Sequence, residues 1–415
     1  MAKKKRHPLI QPGVYGLDTN LLVALLFIMV FGFVMIYSAS YYIASMNKAF
    51  NYDPMYFLKN QVIYSLLGLA AMLAVSCIDY HFWLRFALPG YVASVILILL
   101  LKVPGLGVTV KGATRWLKLG PIQFQVAEPI KLIMIIFMAL LVVAQKDNIL
   151  TIRQMIRVLI PPGIIALLLL FVSDNLSTAA ILGGTAVFMI FVIHPQYWRF
   201  VLLGLLGAAL VAGVVLYVES MDLSTLLESN FRFVRIRAWL NPYEFEQDKA
   251  FQSLQGLYAI GSGGVWGKGL GNSIQKFGQL PEPYNDYIFA IICEELGVFG
   301  AGLVIFLFVY LLYRIYIVAQ LAEDLIGRMI AIGVFSHIAL QVILNLLVVT
   351  NLFPVTGVTL PFFSYGGTAS VFLLCEIGLV LSVNKYSANQ ELQREREAKG
   401  HRKIGKIRKI RKIRR

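Results

Sequence analysis

Residues 21–37 read LLVALLFIMVFGFVMIY, an apolar run without a charged side chain. An α-helix needs about 20 predominantly apolar residues to cross the hydrocarbon core of a membrane, and residues 20–43 around this run have that length. The apolar segment of a cleaved signal peptide is shorter, at about 7–15 residues. The stretch therefore predicts a membrane-spanning helix that stays in the chain.

Nine further runs of this kind follow, at residues 60–78, 83–102, 129–145, 158–173, 177–194, 200–218, 287–312, 329–350 and 368–384. Of the 415 residues, 58% are hydrophobic and only 14% are charged, whereas about 25% charged residues are usual in soluble proteins. Such a composition excludes a soluble globular protein, because large apolar patches would remain exposed. We predict an all-α fold: a polytopic integral membrane protein with ten transmembrane helices.

The basic residues predict the orientation. An even number of spans places both termini on one side, and Lys and Arg are enriched on the cytoplasmic side. The net charge of +15 is concentrated at the ends, since residues 3–6 are all basic and residues 385–415 contain 13 basic and three acidic residues. With both termini in the cytoplasm, 24 of the 37 Lys and Arg lie on that side. We expect a multi-pass protein of the plasma membrane.

Three segments follow from these features. Residues 1–18 form a basic cytoplasmic N-terminus, residues 19–386 form the membrane domain, and residues 387–415 form a basic cytoplasmic tail. From Lys403 onward the tail has Ile at every third position between basic residues. Anionic lipid attracts each such basic residue by about 1 kcal/mol, so we expect the tail to bind the inner leaflet rather than nucleic acid.

Three long connections lie on the predicted outer side of the membrane. They are residues 103–128, the extracellular loop 219–286 between the seventh and eighth helices, and residues 349–367. Loops beyond about 12–15 residues are usually functional or disordered, and these contain too many aromatic and apolar residues for disorder. Function is therefore expected at the outer face. The scattered Cys and His residues give neither a disulfide framework nor a zinc-type spacing.

The largest loop contains an amphipathic segment and two glycine-rich stretches. In residues 231–240 the apolar side chains share one helical face and Arg232 and Arg235 lie on another, which is typical of a helix along the membrane surface. These arginines serve either as interfacial anchors or as a phosphate clamp, since one guanidinium group can donate two parallel hydrogen bonds to phosphate oxygens.

The glycine-rich stretches at residues 261–264 and 267–271 lack the strand-loop-helix context of a nucleotide site. They favour close packing, and ATP use is not supported.

Asp286 lies at the predicted boundary where the eighth helix begins. An aspartate in this place either caps the helix or belongs to a functional site, and position alone leaves the two interpretations level. Glu294 and Glu295 lie about two turns deeper in the same helix. Ionisable residues at that depth are costly, so a functional site is the default hypothesis there.

Several motifs carry a family resemblance, at residues 112–116, 124–125, 128–131, 269–276, 280–286, 294–297 and 354–367. In this order, and across residues 15–385, they resemble the SEDS family of bacterial cell-wall polymerases, which includes FtsW, RodA and SpoVE. Residues 271–276 are more similar to FtsW and SpoVE than to RodA. The chain departs from the family pattern at Val126-Ala127, at residues 174–178 and at Tyr284-Asn285, where many members have Pro-Ser, Pro-Asp-Leu-Gly-Thr and His-Thr.

The resemblance implies a peptidoglycan glycosyltransferase. Such an enzyme polymerises lipid II at the outer leaflet, joining the C4 hydroxyl of an acceptor GlcNAc to the MurNAc C1 of a chain linked to lipid diphosphate. The α-linked diphosphate becomes a β-1,4 bond, and this inversion needs one base and no covalent intermediate. The resemblance and the position together assign the base to Asp286. The leaving diphosphate needs positive charge, from Arg or from a divalent cation such as Mg²⁺ or Mn²⁺.

The resemblance also implies a substrate-binding set. Candidates for holding the diphosphate are Arg115, Arg235, Arg237 and Lys276, and candidates for building the cavity are Glu128 and Lys131. Because the last two are three residues apart on a helix, a structural ion pair is the alternative. Further candidates are Gln252, Gln255 and Ser364.

The resemblance also implies partners. They are the nascent glycan chain, a class B penicillin-binding protein that crosslinks it, and other proteins of the division septum.

Two other functions fit a polytopic protein with these features. A lipid II transporter would use the buried Glu294, Glu295 and Glu376, and transporters bind their substrates near the bilayer midplane. Against transport, the chain shows no inverted repeat and its unusual residues lie in the outer loops. A non-enzymatic scaffold of the division machinery would tolerate the loss of Asp286.

Overall fold

The computed structural model describes residues 17–110, 113–120, 122–145, 151–222, 226, 231–248 and 250–413. The helices in these ranges are α1 (Thr19–Met46), α2 (Tyr56–Cys77), α3 (Tyr80–Leu84), α4 (Ala87–Leu100), α5 (Ala127–Ala144), α6 (Ile152–Phe171), α7 (Leu176–Ile193), α8 (Trp198–Glu219), α9 (Phe231–Leu240), α10 (Phe251–Gly263), α11 (Ile288–Leu321), α12 (Leu325–Val349) and α13 (Gly367–Ile413).

Nine of the described helices are long and apolar enough to cross a membrane, and they contain nine of the ten predicted runs. The remaining run, at residues 83–102, contains the shorter apolar helix α4, and the five-residue helix α3 precedes it. The prediction of a polytopic, helical membrane protein is confirmed.

A small antiparallel sheet lies in the connection between α4 and α5, and the sequence did not predict it. Its strands are β1 (Gly107–Val110), β2 (Ala113–Leu119) and β3 (Ile122–Gln125), in the order β1-β2-β3. In the central strand, Trp116 pairs with Val108 on one side and with Gln125 on the other. The sheet gives a fixed backbone to Arg115, which precedes Trp116.

The centre of the bundle is formed by α5, α12 and α13, whose most apolar windows are 61%, 61% and 67% buried. In α8 the corresponding fraction is 6%, and Val218 near its end is the buried residue that joins it to Leu226 and Val234. The loop that follows α8 is therefore held by its own small apolar cluster, apart from the main core.

The two ends of the membrane domain lie at the same end of the bundle. Asp18 caps α1 and accepts a hydrogen bond from Arg314 of α11 at 2.7 Å. In α13, Ser387 accepts from the backbone of Glu323, just beyond the end of α11. Asp286 precedes the other end of α11, so the loop that carries it lies at the opposite end of the bundle. Beyond Ser387, α13 continues as one helix to Ile413.

The two glycine-rich stretches, at the end of α10 and after it, pack against α11, as predicted. Gly263 lies so close to α11 that an added Cβ would be 2.0 Å from the carbonyl oxygen of Cys293. The amides of Lys268 and Gly269 donate to carbonyls of α11 at 2.9 Å each. The chain from α10 to Asp286 therefore runs along the first part of α11, turns back after Gly263 and returns to the start of α11.

Gly297 interrupts α11 where this turn contacts it. Its backbone angles are φ 63° and ψ −155°, a combination that is essentially confined to glycine. An added Cβ would lie 2.3 Å from the carbonyl oxygen of Val265. The break thus has two causes, a backbone conformation and a close approach, and both exclude a side chain.

Replacing Gly297 by Ala is expected to destabilise the protein, by about 1–3 kcal/mol from backbone strain alone, with the steric overlap adding to this cost. The midpoint of thermal unfolding in detergent measures the effect. Gly302→Ala is the matched control, because Gly302 lies in the same helix and an added Cβ there meets nothing within 4 Å. Equal midpoints for the two variants would contradict the account of the break.

Candidate functional site

Asp286 is the centre of the candidate active site. The residue is 6% exposed, and its carboxylate oxygen Oδ1 accepts a hydrogen bond from Gln252 Nε2 at 3.3 Å. Its backbone carbonyl accepts from Asn345 of α12 at 2.8 Å. The carboxylate is therefore held between α10, which carries Gln252, and the loop 350–366 that precedes α13.

A cavity of about 260 Å³ lies on the other side of Gln252. Residues of α9, α10 and three loops line it: Arg235, Ala238, Trp239, Asp248, Phe251, Gln252, Ser253, Pro281, Asn351 and Val355. Gln252 donates to both Asp286 and the carbonyl of Pro281, at 3.3 and 3.2 Å. Gln252 thus connects the carboxylate to the lining of the cavity.

A cluster of arginines, formed by Arg115, Arg232 and Arg235, lies beside this cavity. Arg115 donates to the carbonyl of Asp174 at 2.7 Å, and Arg232 donates to the Asp174 carboxylate at 2.8 Å. Burial lowers the pKa of Arg115, the charge of Arg235 lowers that pKa further, and Asp174 opposes the shift. Because the two cations repel each other, an anion bound between them would be stabilised. Arg235 also lines the cavity, so it connects the cluster to the site.

The predicted helix over residues 231–240 is confirmed as α9. The arginines of this helix have different surroundings. Val234 and Ala238 are its most buried residues, rather than Phe233, Ile236 and Leu240, whose helical spacing predicted the apolar face. Arg235 faces the cavity, whereas Arg237 donates to the carbonyl of Glu219 at 2.8 Å and lies 3.6 Å from Glu244. The structure therefore does not bring Arg237 to the cavity.

Lys276 is not brought to the cavity either. Its side chain and that of Glu295 are both 0% exposed, and their charged atoms are 2.8 Å apart. The Lys276 ammonium also donates to Ser38 at 3.2 Å and to the carbonyl of Gly271 at 2.6 Å. Its three hydrogens are all used. The expectation that Lys276 holds a diphosphate is therefore not supported by its placement, because no donor is left for a phosphate oxygen.

Glu128 and Lys131 form the ion pair that was the alternative for them. Both are buried in α5, with 3.1 Å between the ammonium and the carboxylate. Lys131 also donates to Gln341 of α12 at 3.2 Å, and Gln341 donates to the carbonyl of Thr359 at 3.1 Å. The pair is thus connected through Gln341 to the loop 350–366, which it supports from inside the helix bundle.

The other two predicted residues have different surroundings. Gln255 is half-buried one turn after Gln252 in α10. The Ser364 hydroxyl accepts from the amide of Leu360 at 2.8 Å and closes the turn before α13. The neighbouring amide of Tyr365 donates to the carbonyl of Tyr284 at 2.9 Å. Ser364 therefore shapes the loop that meets the Asp286 segment.

Two residues of the site were missed from the sequence. Asp174, with φ 50°, organises the arginine cluster, and its place at the start of a predicted span was a usable signal. Asn345 lies in a membrane helix, and polar residues in such helices mark functional or structural hydrogen bonds. In the described part of the chain, no three His, Cys, Asp or Glu side chains come together as metal ligands would.

Comparisons with known proteins agree with this architecture. The family model of the FtsW, RodA and SpoVE proteins, described as cell cycle proteins, matches residues 18–389. Stage V sporulation protein E of Bacillus subtilis is 38% identical over 373 residues, which are 89% of this chain and 97% of that protein. A probable peptidoglycan glycosyltransferase FtsW of Trichlorobacter lovleyi is 35% identical over 88% of this chain and 93% of its own length.

Solved structures show the same fold. A chain of a peptidoglycan synthase complex, solved to show how polymerization and crosslinking are coordinated, superimposes with a TM-score of 0.71 at 26% identity, over 89% of this chain and 98% of that one. The rod shape determining protein RodA of Thermus thermophilus gives a TM-score of 0.61 at 26% identity, over 89% and 97% of the two chains. Since the family model covers almost all of the membrane domain, the chain belongs to the SEDS family of FtsW, RodA and SpoVE proteins.

Proposed function

We propose that this chain is a peptidoglycan glycosyltransferase that polymerises lipid II at the outer face of the bacterial plasma membrane. The observation that carries the proposal is the juxtaposition of a buried carboxylate, Asp286, with a cavity to which Arg235 and the arginine cluster add positive charge. A base beside a cationic pocket is what the transfer of a sugar from a diphosphate requires. The names of the FtsW relatives support the same enzyme class.

In the proposed reaction Asp286 is the general base. The C4 hydroxyl of the acceptor GlcNAc takes the position of the Gln252 amide, which already donates to Asp286 Oδ1. The hydroxyl proton passes to the carboxylate as the C4 oxygen forms a bond to MurNAc C1. The bond between C1 and the diphosphate oxygen breaks, and the lipid diphosphate leaves with the electron pair. Attack on the face opposite to the leaving group inverts C1.

Arg235 and Arg115 stabilise the departing diphosphate in this proposal. Guanidinium groups bind phosphate oxygens through pairs of hydrogen bonds, and Arg235 is the cluster member that lines the cavity. A requirement for Mg²⁺ or Mn²⁺ stays a prediction, which polymerisation in the presence of a chelator tests.

The argument for a transporter rested on three buried glutamates. Glu294 pairs with Lys268 at 2.7 Å, Glu295 pairs with Lys276 at 2.8 Å, and Glu376 contacts His337 at 2.7 Å. The three buried carboxylates therefore have structural partners, and they do not need a transported ligand to explain them.

Purified protein in vesicles with fluorescent lipid II tests the proposal. We expect glycan polymers on a gel, and no acceleration of lipid II movement between leaflets. Movement without polymer would support the transporter, and the absence of both activities would support the scaffold. The assay should be repeated with a class B penicillin-binding protein, which we propose as the crosslinking partner because a similar chain forms part of a synthase complex.

We also propose the cellular setting. The similarity to FtsW and to a sporulation protein favours septal wall synthesis over elongation. Both termini are proposed to be cytoplasmic, where the basic tail meets anionic lipid. Fluorescent fusions to the tail measure both the side of the membrane and the location in the cell.

Replacing Arg235 by Gln is expected to raise the KM for lipid II about tenfold, because a hydrogen bond to a charged group contributes about 1.5–3 kcal/mol and exposure reduces this at the cavity rim. Arg237→Gln is the matched control on the same helix. Its side chain points away from the cavity, so a change below threefold is expected. Equal effects of the two changes would contradict the assignment of Arg235.

A further inference from the structure

The side chain of Asn345 joins the Asp286 residue to the loop that faces it. Asn345 is 0% exposed and lies in α12. Its amide nitrogen donates to the backbone carbonyl of Asp286 at 2.8 Å and to that of Val358 at 2.7 Å. An amide nitrogen carries two hydrogens, so each hydrogen is used on a different segment of the chain.

These contacts also determine which way round the amide lies. A reversed amide would place its oxygen against two carbonyl oxygens, and three acceptors cannot bond to one another. The Asn345 nitrogen must therefore face Asp286 and Val358. The donor function cannot be replaced by a side chain that only accepts.

The second segment held by Asn345 approaches the Asp286 carboxylate. Gly357 immediately precedes Val358, and an added Cβ at Gly357 would lie 3.8 Å from Asp286 Oδ2. The same amide therefore fixes the main chain of Asp286 and the loop beside its carboxylate. Asn345 is thus a side-chain tie between these two segments at the carboxylate, in addition to the backbone bond from Tyr365 to Tyr284.

Other donors hold the loop 350–366 without reaching Asp286. Ser177 donates to the carbonyl of Thr356 at 3.4 Å, and Gln341 donates to that of Thr359 at 3.1 Å. Gln341 lies one helical turn before Asn345 on the same face of α12. Both amides thus hold the loop. They differ in that Asn345 also binds the Asp286 residue, whereas Gln341 also accepts from Lys131 at 3.2 Å.

We propose that Asn345 is a positioning residue for the Asp286 base. It does not touch the substrate, and it acts by holding the carboxylate at the distance from the cavity that proton transfer requires. This inference rests on the proposed function, in which Asp286 takes the proton of the acceptor hydroxyl. Reacting groups displaced by about 1 Å can lose about 10²-fold in rate, so a loss of this tie should lower the rate of the chemical step.

The test compares Asn345→Leu with Gln341→Leu in the full-length protein reconstituted in vesicles. Each change removes one buried amide from the same face of α12 and one tie to the same loop. For Asn345→Leu we expect kcat for lipid II polymerisation to fall about 100-fold while KM stays within threefold. For Gln341→Leu we expect kcat to fall less than tenfold. A purely structural role would affect the two variants alike.

Three results would overturn the inference: a kcat for Asn345→Leu above one third of the wild-type value, an equal loss in both variants, or a loss confined to KM. Folding is checked by gel filtration and by the thermal midpoint. If Asn345→Leu does not fold, Asn345→Ala, which removes the same donors with a smaller side chain, is judged by the same limits. If wild-type protein makes no polymer, the proposed function fails, whereas full activity of Asn345→Leu beside an active wild type removes this inference alone.

Discussion

Replacing Asp286 by Asn is expected to lower the rate of lipid II polymerisation by about 10²–10⁴-fold, the range that general base catalysis contributes. Asn has the same shape as Asp and can still accept a hydrogen bond from Gln252, but its amide cannot take the proton of the C4 hydroxyl. Binding of lipid II and the thermal midpoint should stay close to wild type. The measurement is the amount of glycan formed from fluorescent lipid II over time.

Glu282→Gln is the matched control for this change. Glu282 lies on the same loop and its carboxylate accepts from Asn285 at 3.0 Å, so both variants lose one negative charge from one segment. We expect Glu282→Gln to retain at least a third of the wild-type rate. Polymerisation at the wild-type rate by Asp286→Asn would remove Asp286 from the mechanism.

Replacing Lys276 by Met is expected to cause the largest loss of stability. The change leaves the Glu295 carboxylate buried without its cation, and breaking a buried ion pair in this way costs about 3–5 kcal/mol. The single hydroxyl hydrogen of Ser38 is shared between the two oxygens of Glu295, each 2.7 Å away, and this bond does not replace a charge. The thermal midpoint in detergent, together with gel filtration, measures the loss.

The double variant Lys276→Met with Glu295→Gln separates stability from substrate binding. It is expected to regain most of the lost stability, because no unpaired charge remains. If Lys276 serves only the ion pair, the double variant also polymerises lipid II within tenfold of wild type. A stable double variant that no longer binds lipid II would instead return Lys276 to the substrate site. A single variant as stable as wild type would contradict the ion-pair account.

The membrane helices could be predicted because their length and apolar character are local properties of the chain. The break in α11 could not, since its cause is the close approach of the backbone at Val265, which is distant in sequence from Gly297. The three-stranded sheet was missed for a related reason. Its strands have only four to seven residues each, and no strong apolar alternation marks them in the sequence.

The site was predictable where a motif and a position agree. Gln252 and Arg235 line the cavity, and Gln252 donates a hydrogen bond to Asp286 Oδ1. Arg237 and Lys276 do not line the cavity. The helical face on which Arg237 lies, and the ion pair between Lys276 and Glu295, which are 19 residues apart in the sequence, both depend on the tertiary structure. His337, Gln341 and Asn345 lie four residues apart along α12, and this polar stripe in a predicted span could have indicated Asn345.

The order of the charges along the chain bears on how it enters the bilayer during translation. Lys268 and Lys276 leave the ribosome before Glu294 and Glu295. On the scale measured for translocon-mediated insertion, a charged residue at the centre of a helix costs about 2.5–3.5 kcal/mol, so two carboxylates weaken α11 as an independent insertion unit. Because both counter-ions are synthesised first, Lys268 and Lys276 are available to neutralise Glu294 and Glu295 when α11 enters the bilayer.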